Sequence, residues 1–203
     1  MENFWNSLLT EKSFKILQDL KKSDFDFILI GGWAAYLWTN LHKSKDIVVV
    51  VDLKQLDILK NNYNLVKNDN LKKYEIEIDE IDIDIYVPYY SKLGIPVEDI
   101  KKFSTKTHGF NVVIPELLLI LKQNAEIDRK DSVKGEKDRI DILTLLFYVD
   151  IDFKKYHKIL DNYNIKGYEM RIKQILTSFK DYKYLGLNPR EYKLKKLRIL
   201  SKL

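Results

Sequence analysis

The chain has no cysteine, which excludes disulfides, zinc–thiolate sites and thiol catalysis. Glycine and proline are scarce, 7 and 4 in 203 residues, so no Pro/Gly-rich linker marks a domain boundary. No apolar run approaches the roughly 18 residues of a membrane span, and no membrane association is expected. Met1 to Trp5 has no basic start, and Glu11, Lys12 and Lys15 interrupt any apolar stretch behind it. The sequence therefore predicts no signal peptide, with the cytoplasm as the expected location. His42, His108 and His157 are far apart and lack ligand or triad spacing; they read as surface or hydrogen-bonding groups. There are no internal repeats.

The composition, 45% hydrophobic and 32% charged, is ordinary for a globular protein with a sizeable core. Charge is unevenly spread. From Ile151 onward there are 14 Lys/Arg against 5 Asp/Glu, a net of +9, whereas residues 1–150 carry 21 against 25, a net of −4. An acidic front with a basic tail suits a catalytic or metal-binding core followed by an anion-contacting region, although lysine-rich helices are also commonly just solvated.

Apolar spacing at Phe14, Ile16, Leu17 and Leu20 predicts a helix over 12–22. Phe25 to Ile30 reads as a buried strand ended by Gly31-Gly32, and Trp33 to Leu41 as a helix with Trp33 and Trp38 in the core. The β-branched run from Asp46 to Asp52 predicts a strand, and a helix is expected from Leu53 to Asn61. Tyr74–Ile78 and Ile81–Val87 alternate strictly around Asp79-Glu80, the pattern of a β-hairpin. Glu75 and Glu77 share one face, as do Asp82 and Asp84. Phe110–Ile114 reads as a short strand. Pro115 suits a helix first turn, and helices follow over 115–122, 137–148 and 153–203. The expected class is α/β (α+β), a mixed twisted sheet with flanking helices and a helical C-terminal half.

Three features carry chemistry. Gly31-Gly32, between strand and helix, lets backbone approach a ligand closely while the helix start aims free N–H groups at a phosphate; a plain tight turn is the simpler alternative. Asp46 opens the next strand. Asp82 and Asp84 on the hairpin are either a solvated strand face or, with Asp46, oxygen ligands for Mg²⁺. Two such ions, roughly 3.5–4 Å apart, would polarise an incoming hydroxyl and stabilise a leaving phosphate.

Ile30-Gly31-Gly32-Trp33-Ala34-Ala35 followed by Ser44-Lys45-Asp46-Ile47-Val48 resembles the signature of the nucleotidyltransferase superfamily, the DNA polymerase beta-like fold. That signature is strand, Gly-Gly or Gly-Ser, helix, Asp-x-Asp, then a third carboxylate on a later strand. The order Pro115-Glu116, the apolar helix to Lys122, Ala125, Arg129, Lys134, Asp138 and Asp141 resembles the branch that contains abortive-infection toxins of type IV toxin–antitoxin systems. The resemblance covers roughly residues 25–148. It implies a nucleotidyltransferase core over 1–114, a helical region with a basic tail over 115–203, and Mg²⁺- or Mn²⁺-dependent transfer of a nucleoside monophosphate from an NTP to an acceptor hydroxyl.

By position, the resemblance makes Asp46 a metal ligand and Asp84 the third carboxylate and base, with Asp82 as the other choice. Gly31 and Gly32 would face the triphosphate. Lys122 and Arg129 would neutralise it, with Asp138 orienting them. Helical spacing equally allows Asp138 and Asp141 to pair with Lys134 or Lys137, and Lys122 and Arg129 to be surface cations. The implied partners are the NTP, tRNA or another RNA met by the basic C-terminal region, and an antitoxin protein. Tyr182 to Tyr184 and Arg190 to Arg198 either contact single-stranded nucleic acid or form a terminal helix packed by Leu194, Leu197 and Ile199.

One position departs from the pattern: the second carboxylate of Asp-x-Asp is Val48. Asp52 shares its face but lies roughly 20 Å along the strand from Asp46, too far to replace it. The second expectation is therefore a member that binds nucleotide, RNA or a partner without catalysis.

Overall fold

A computed structural model describes residues 8–203. The stretch Met1 to Trp5, read above for a signal peptide, lies outside the described residues. The chain divides into two compact units, residues 1–114 and 115–203.

The first unit is built on one seven-stranded sheet. Its elements are α1 (Leu8–Leu20), β1 (Phe27–Ile30), α2 (Gly31–Thr39), β2 (Ile47–Val51), α3 (Leu56–Asn62), β3 (Val66–Asn68), β4 (Lys73–Ile78), β5 (Ile81–Tyr86), β6 (Ser104–Thr107) and β7 (Phe110–Val113). The strand order is β3-β4-β5-β2-β1-β7-β6. β2 is antiparallel to β1 and parallel to β5, and β7 is parallel to β1. A strand enclosed by neighbours needs apolar residues on both faces. β2 meets that need with Ile-Val-Val-Val-Val, of which only Val48 is not fully buried.

β4 and β5 form the expected hairpin, closed at Asp79 and Glu80 with φ of 49° and 67°. Positive φ at both central residues gives a turn whose twist matches that of the strands. Ile76, Ile81, Ile83 and Ile85 occupy the buried face. Full burial of each such side chain contributes about 1.5–3 kcal/mol. Trp33 is fully buried and donates its indole N–H to Ser13 Oγ at 2.9 Å, tying α2 to α1. Trp38 donates to the Val113 carbonyl at 3.0 Å, the polar contact a largely buried indole requires.

Several boundaries differ from expectation. Gly31 and Gly32 open α2 rather than forming a separate turn. β3 and β6 carry Val66-Lys67-Asn68 and Ser104-Thr105-Lys106-Thr107, too short and polar to show an apolar period. Both are edge strands held by pairing to β4 and β7. Asp52 caps a short 3₁₀ turn, accepting from the Lys54 N–H at 3.0 Å.

The second unit is helical: α4 (Pro115–Asp128), α5 (Val133–Tyr148), α6 (Phe153–Asn162), α7 (Tyr168–Ser178) and α8 (Pro189–Leu200). α5 begins earlier than its apolar spacing suggested, because Ser132 caps it by accepting from the Gly135 N–H. α8 opens with a capping box between Asn188 and Glu191 and proline in its first turn. Its packing residues are Tyr192 and Ile199, while Leu194 and Leu197 face outward, correcting the expected packing stripe. Tyr192 lies among Phe147, Phe179 and Tyr182 and donates its hydroxyl to the Leu176 carbonyl at 2.9 Å. A ring so engaged is not free to stack on a base. Among the described residues, no helix is long and apolar enough to cross a membrane.

Candidate active site

The first unit assembles a polar row on one face of its sheet. Register places Ile30, Val48, Asp84 and Glu75 side by side on β1, β2, β5 and β4. Adjacent strands are about 4.8 Å apart, so position 48 is the immediate neighbour of Asp84. Asp46 directly precedes β2, and its charge acts on Asp84. Asp82 stands opposite Glu77, is exposed, and belongs to the next row.

The Gly-Gly start of α2 closes over this row. Gly31 has φ +72°, and a Cβ there would lie 2.9 Å from Val48 Cγ2. A Cβ on Gly32 would meet Ser44 Oγ at 2.6 Å. The glycines thus let backbone sit directly on β2 and the segment before it. Ile30, the N-cap residue just before α2, offers no side-chain cap to the helix's first N–H groups, which leaves them oriented for an anion. Gly31→Ala should cost about 1–3 kcal/mol from its left-handed backbone alone, read as a lowered urea midpoint. Val48→Ala in the same chain removes Cγ2 at 2.9 Å but keeps Cβ at 3.0 Å, so it should recover only part of any further cost from that contact.

Sequence reasoning missed Lys73. It is buried, and its ammonium lies 2.7 Å from Asp84 Oδ1 and 2.8 Å from Glu75 Oε1. The signal was available, since Lys73 continues the face of Glu75 and Glu77 one step back along β4. Burial opposes its charge, but the hydrogen bonds to Asp84 and Glu75 outweigh that and hold the lysine above its ordinary range. Lys73 and Asn68 hold Glu75 below the usual carboxylate range, the lysine hydrogen bond contributing most. Asp84 is pushed up. Its burial outweighs the Lys73 contact, and the charges of Glu75 and Asp46 add to the rise.

The donor set can be tested against metal. Among the described residues no group of three His, Cys, Asp or Glu side chains is placed to hold an ion. Valine at 48 removes the carboxylate that would bridge two ions, and Lys73 already occupies one Asp84 oxygen. These donors do not fit two metal ions. Asp46 and Asp84 are the carboxylates that flank position 48, and the charge of Asp46 acts on Asp84.

The second unit carries a separate charge cluster. The Lys122 ammonium, on α4, lies 2.5 Å from Asp141 Oδ2 and 3.2 Å from Asp138 Oδ1, both on α5. All three residues are buried. Burial opposes the Lys122 charge, but Asp141 and Asp138 outweigh it and the lysine is held above its ordinary value. Arg129 Nε donates to Asp138 Oδ2 at 2.7 Å, with its side chain still 43% exposed. Asp138 and Asp141 therefore pair with Lys122, and Lys122 is no surface cation. Glu126, fully buried, takes Arg171 through two hydrogen bonds and Arg139 at 3.2 Å. His157 faces Glu169 at 3.1 Å, and His108 its neighbour Thr107 at 3.1 Å.

The strand, Gly-Gly helix start, second strand and later carboxylate-bearing strand together define the nucleotidyltransferase fold. No protein-family model matches the chain, and no curated protein matches it by sequence. Solved structures do. ANT(2")-Ia, determined in complex with adenylyl-2"-tobramycin, is similar at TM-score 0.54 and 11% identity, over 78% of this chain and 98% of that one. JHP933 from Helicobacter pylori is similar at TM-score 0.51 and 16% identity, over 97% and 94%. A provisionally assigned nucleotidyltransferase from H. pylori is similar at TM-score 0.51 and 14% identity, over 98% and 97%. Identity this low speaks to the fold.

Proposed function

We propose that this protein binds a nucleoside triphosphate against the Gly31–Gly32 start of α2 and transfers its nucleoside monophosphate to an acceptor hydroxyl. The observation that supports this reading is the row that sets Asp84 level with Val48 beneath Gly31, with the charge of Asp46, just before β2, acting on Asp84. The acceptor oxygen attacks the α-phosphorus, and the bond from that phosphorus to the bridging oxygen breaks. Pyrophosphate leaves, and the hydroxyl proton passes to Asp84. The burial that raises Asp84 makes it a better proton acceptor once ionised. Asp46 and Asp84 would hold one Mg²⁺ or Mn²⁺, which when bound would offset charge on the triphosphate. Within the second unit, Arg129 is 43% exposed and held by Asp138, a fork of the kind that binds phosphate oxygens. Lys122 acts on it through Asp138.

The end of an RNA, such as a tRNA, is the favoured acceptor. Support comes from the +9 net charge of residues 151–203 and from exposed Lys180, Lys183, Arg190, Lys193 and Arg198. The toxin-like role and an antitoxin partner rest on the resemblance of the Pro115–Asp141 order.

The test is transfer of radiolabel from each α-labelled NTP, with Mg²⁺ or Mn²⁺, to total RNA, to aminoglycosides and to the protein itself. Transfer should be lost in Asp46→Ala and fall by about 10²–10⁴-fold in Asp84→Asn. Label moving equally well in Asp46→Ala would refute the assignment. Val48 specifically favours a second reading, in which nucleotide or RNA binds without transfer. NTP-dependent thermal stabilisation with no label on any acceptor would select it.

A further inference from the structure

We infer that the Ser44 hydroxyl is a phosphate-binding donor of the candidate active site, set against the start of α2 by its contact with Gly32. This rests on the nucleotide-binding reading above and adds a residue to it. Ser44 lies in the irregular segment that leads into β2, between the half-buried Lys43 and Lys45. Ser44 itself is only 5% exposed. A Cβ on Gly32 would meet Ser44 Oγ at 2.6 Å and Ser44 Cβ at 2.8 Å. The hydroxyl therefore stands directly beside the first turn of α2.

The two glycines have different causes. Gly31 is held at φ +72°, which disfavours any side chain. Gly32 has no positive φ, so its backbone would accept an ordinary L residue. What excludes a side chain at 32 is Ser44. Beyond the Oγ and Cβ of Ser44, the next atom is its Cα at 3.9 Å, an ordinary contact. The place of a side chain on residue 32 is thus taken by a hydroxyl from residue 44.

That hydroxyl has no hydrogen bond to any group among the described residues. A polar group so buried is nearly always bonded, and leaving it unmatched is costly. Its neighbours are the first N–H groups of α2, which Ile30 does not cap and which are themselves donors. Donors gathered in one place call for an acceptor from outside the chain, and a phosphate oxygen is one. Gly31 lies on Val48 and Gly32 on Ser44, so these donors follow the segment that carries Asp46.

The experiment is isothermal titration calorimetry of the full chain, in Mg²⁺, with α,β-methylene ATP and its CTP, GTP and UTP counterparts, all non-transferable. The analogue that binds wild type most tightly is carried through the variants. Ser44→Gly should weaken its binding by about 10–100-fold, the loss of one hydrogen bond to a charged group. Gly32→Ser alone should melt below wild type, because its Cβ meets Ser44. Gly32→Ser combined with Ser44→Gly should melt near wild type and recover most of the affinity, since the hydroxyl then enters the same space from α2. A merely structural role for Ser44 would not restore binding in this way. Should Ser44→Gly not fold, Ser44→Ala makes the same comparison, losing only the hydroxyl. Three results overturn the inference and leave the nucleotide site standing: unchanged affinity without the hydroxyl, a Gly32→Ser variant as stable as wild type, or a folded double variant no tighter than Ser44→Gly. Absence of analogue binding to wild type overturns both.

Discussion

Val48→Asp should raise metal-dependent label transfer by on the order of 10²–10⁴-fold. The substitution puts a carboxylate between Asp46 and Asp84, level with Asp84 on the neighbouring strand and in contact with Gly31. A metal ligand so placed would strengthen ion binding where phosphate charge develops. Metal stabilisation of that kind contributes several kcal/mol to lowering a barrier, and each 1.4 kcal/mol or so is tenfold in rate. The same change has a cost. Without metal, a new carboxylate beside Asp84 repels it, and like charges on adjacent strands destabilise by about 0.2–1 kcal/mol. The variant should therefore melt lower than wild type in EDTA and recover with Mn²⁺. Label transfer and the two melting curves separate a gain in chemistry from a gain in stability. Transfer no faster than wild type, in a variant that Mn²⁺ does stabilise, would mean that position 48 is not what limits the reaction.

Lys122→Ala should unfold the second unit far more readily than any surface lysine change. Removing the ammonium leaves Asp138 and Asp141 buried without their shared cation. Breaking a buried pair from one side costs about 3–5 kcal/mol, because the stranded charge is the expensive part. For a chain of this size that is a fall in melting temperature of roughly 6–20 °C. Arg129 still reaches Asp138 but no contact of it reaches Asp141, so Asp141 is the stranded group. The double variant Lys122→Met with Asp141→Leu should be more stable than Lys122→Ala, since it removes the buried charge along with its partner. A melting temperature for Lys122→Ala within a degree or two of wild type would show the cluster to be water-filled rather than buried.

The two predictions separate the functions of the two clusters. Position 48 should change chemistry strongly and stability little, whereas position 122 should change stability strongly.

Much of the fold was legible because its signals are local. The alternation of Tyr74–Ile78 and Ile81–Tyr86 dictates a hairpin through the two-residue period of a strand. The run Ile47–Val51 dictates a strand enclosed by others. Gly31-Gly32 marks a close backbone approach because φ near +72° disfavours a side chain and a Cβ at Gly31 would meet Val48 Cγ2 at 2.9 Å. The absence of an acid at position 48 was equally plain from the order of residues alone. Edge strands β3 and β6 were not legible, since polar segments of three or four residues become strands only when a neighbour offers them a ladder.

What only the tertiary structure decided is nonlocal register and packing. Spacing within β5 treats Asp82 and Asp84 alike; the parallel pairing of β2 with β5 sets Asp84 beside Val48 and leaves Asp82 exposed. Lys73 looks like one lysine among many until antiparallel pairing brings β5 against β4 and Asp84 within 2.7 Å of its ammonium. Lys122 reads as a helix-surface cation in one dimension and becomes the buried centre of two aspartates once α5 folds back on α4. The physical reason is the same in each case. Local sequence sets backbone conformation through propensity and period, but the energy of a charge depends on which distant groups share its low-dielectric surroundings.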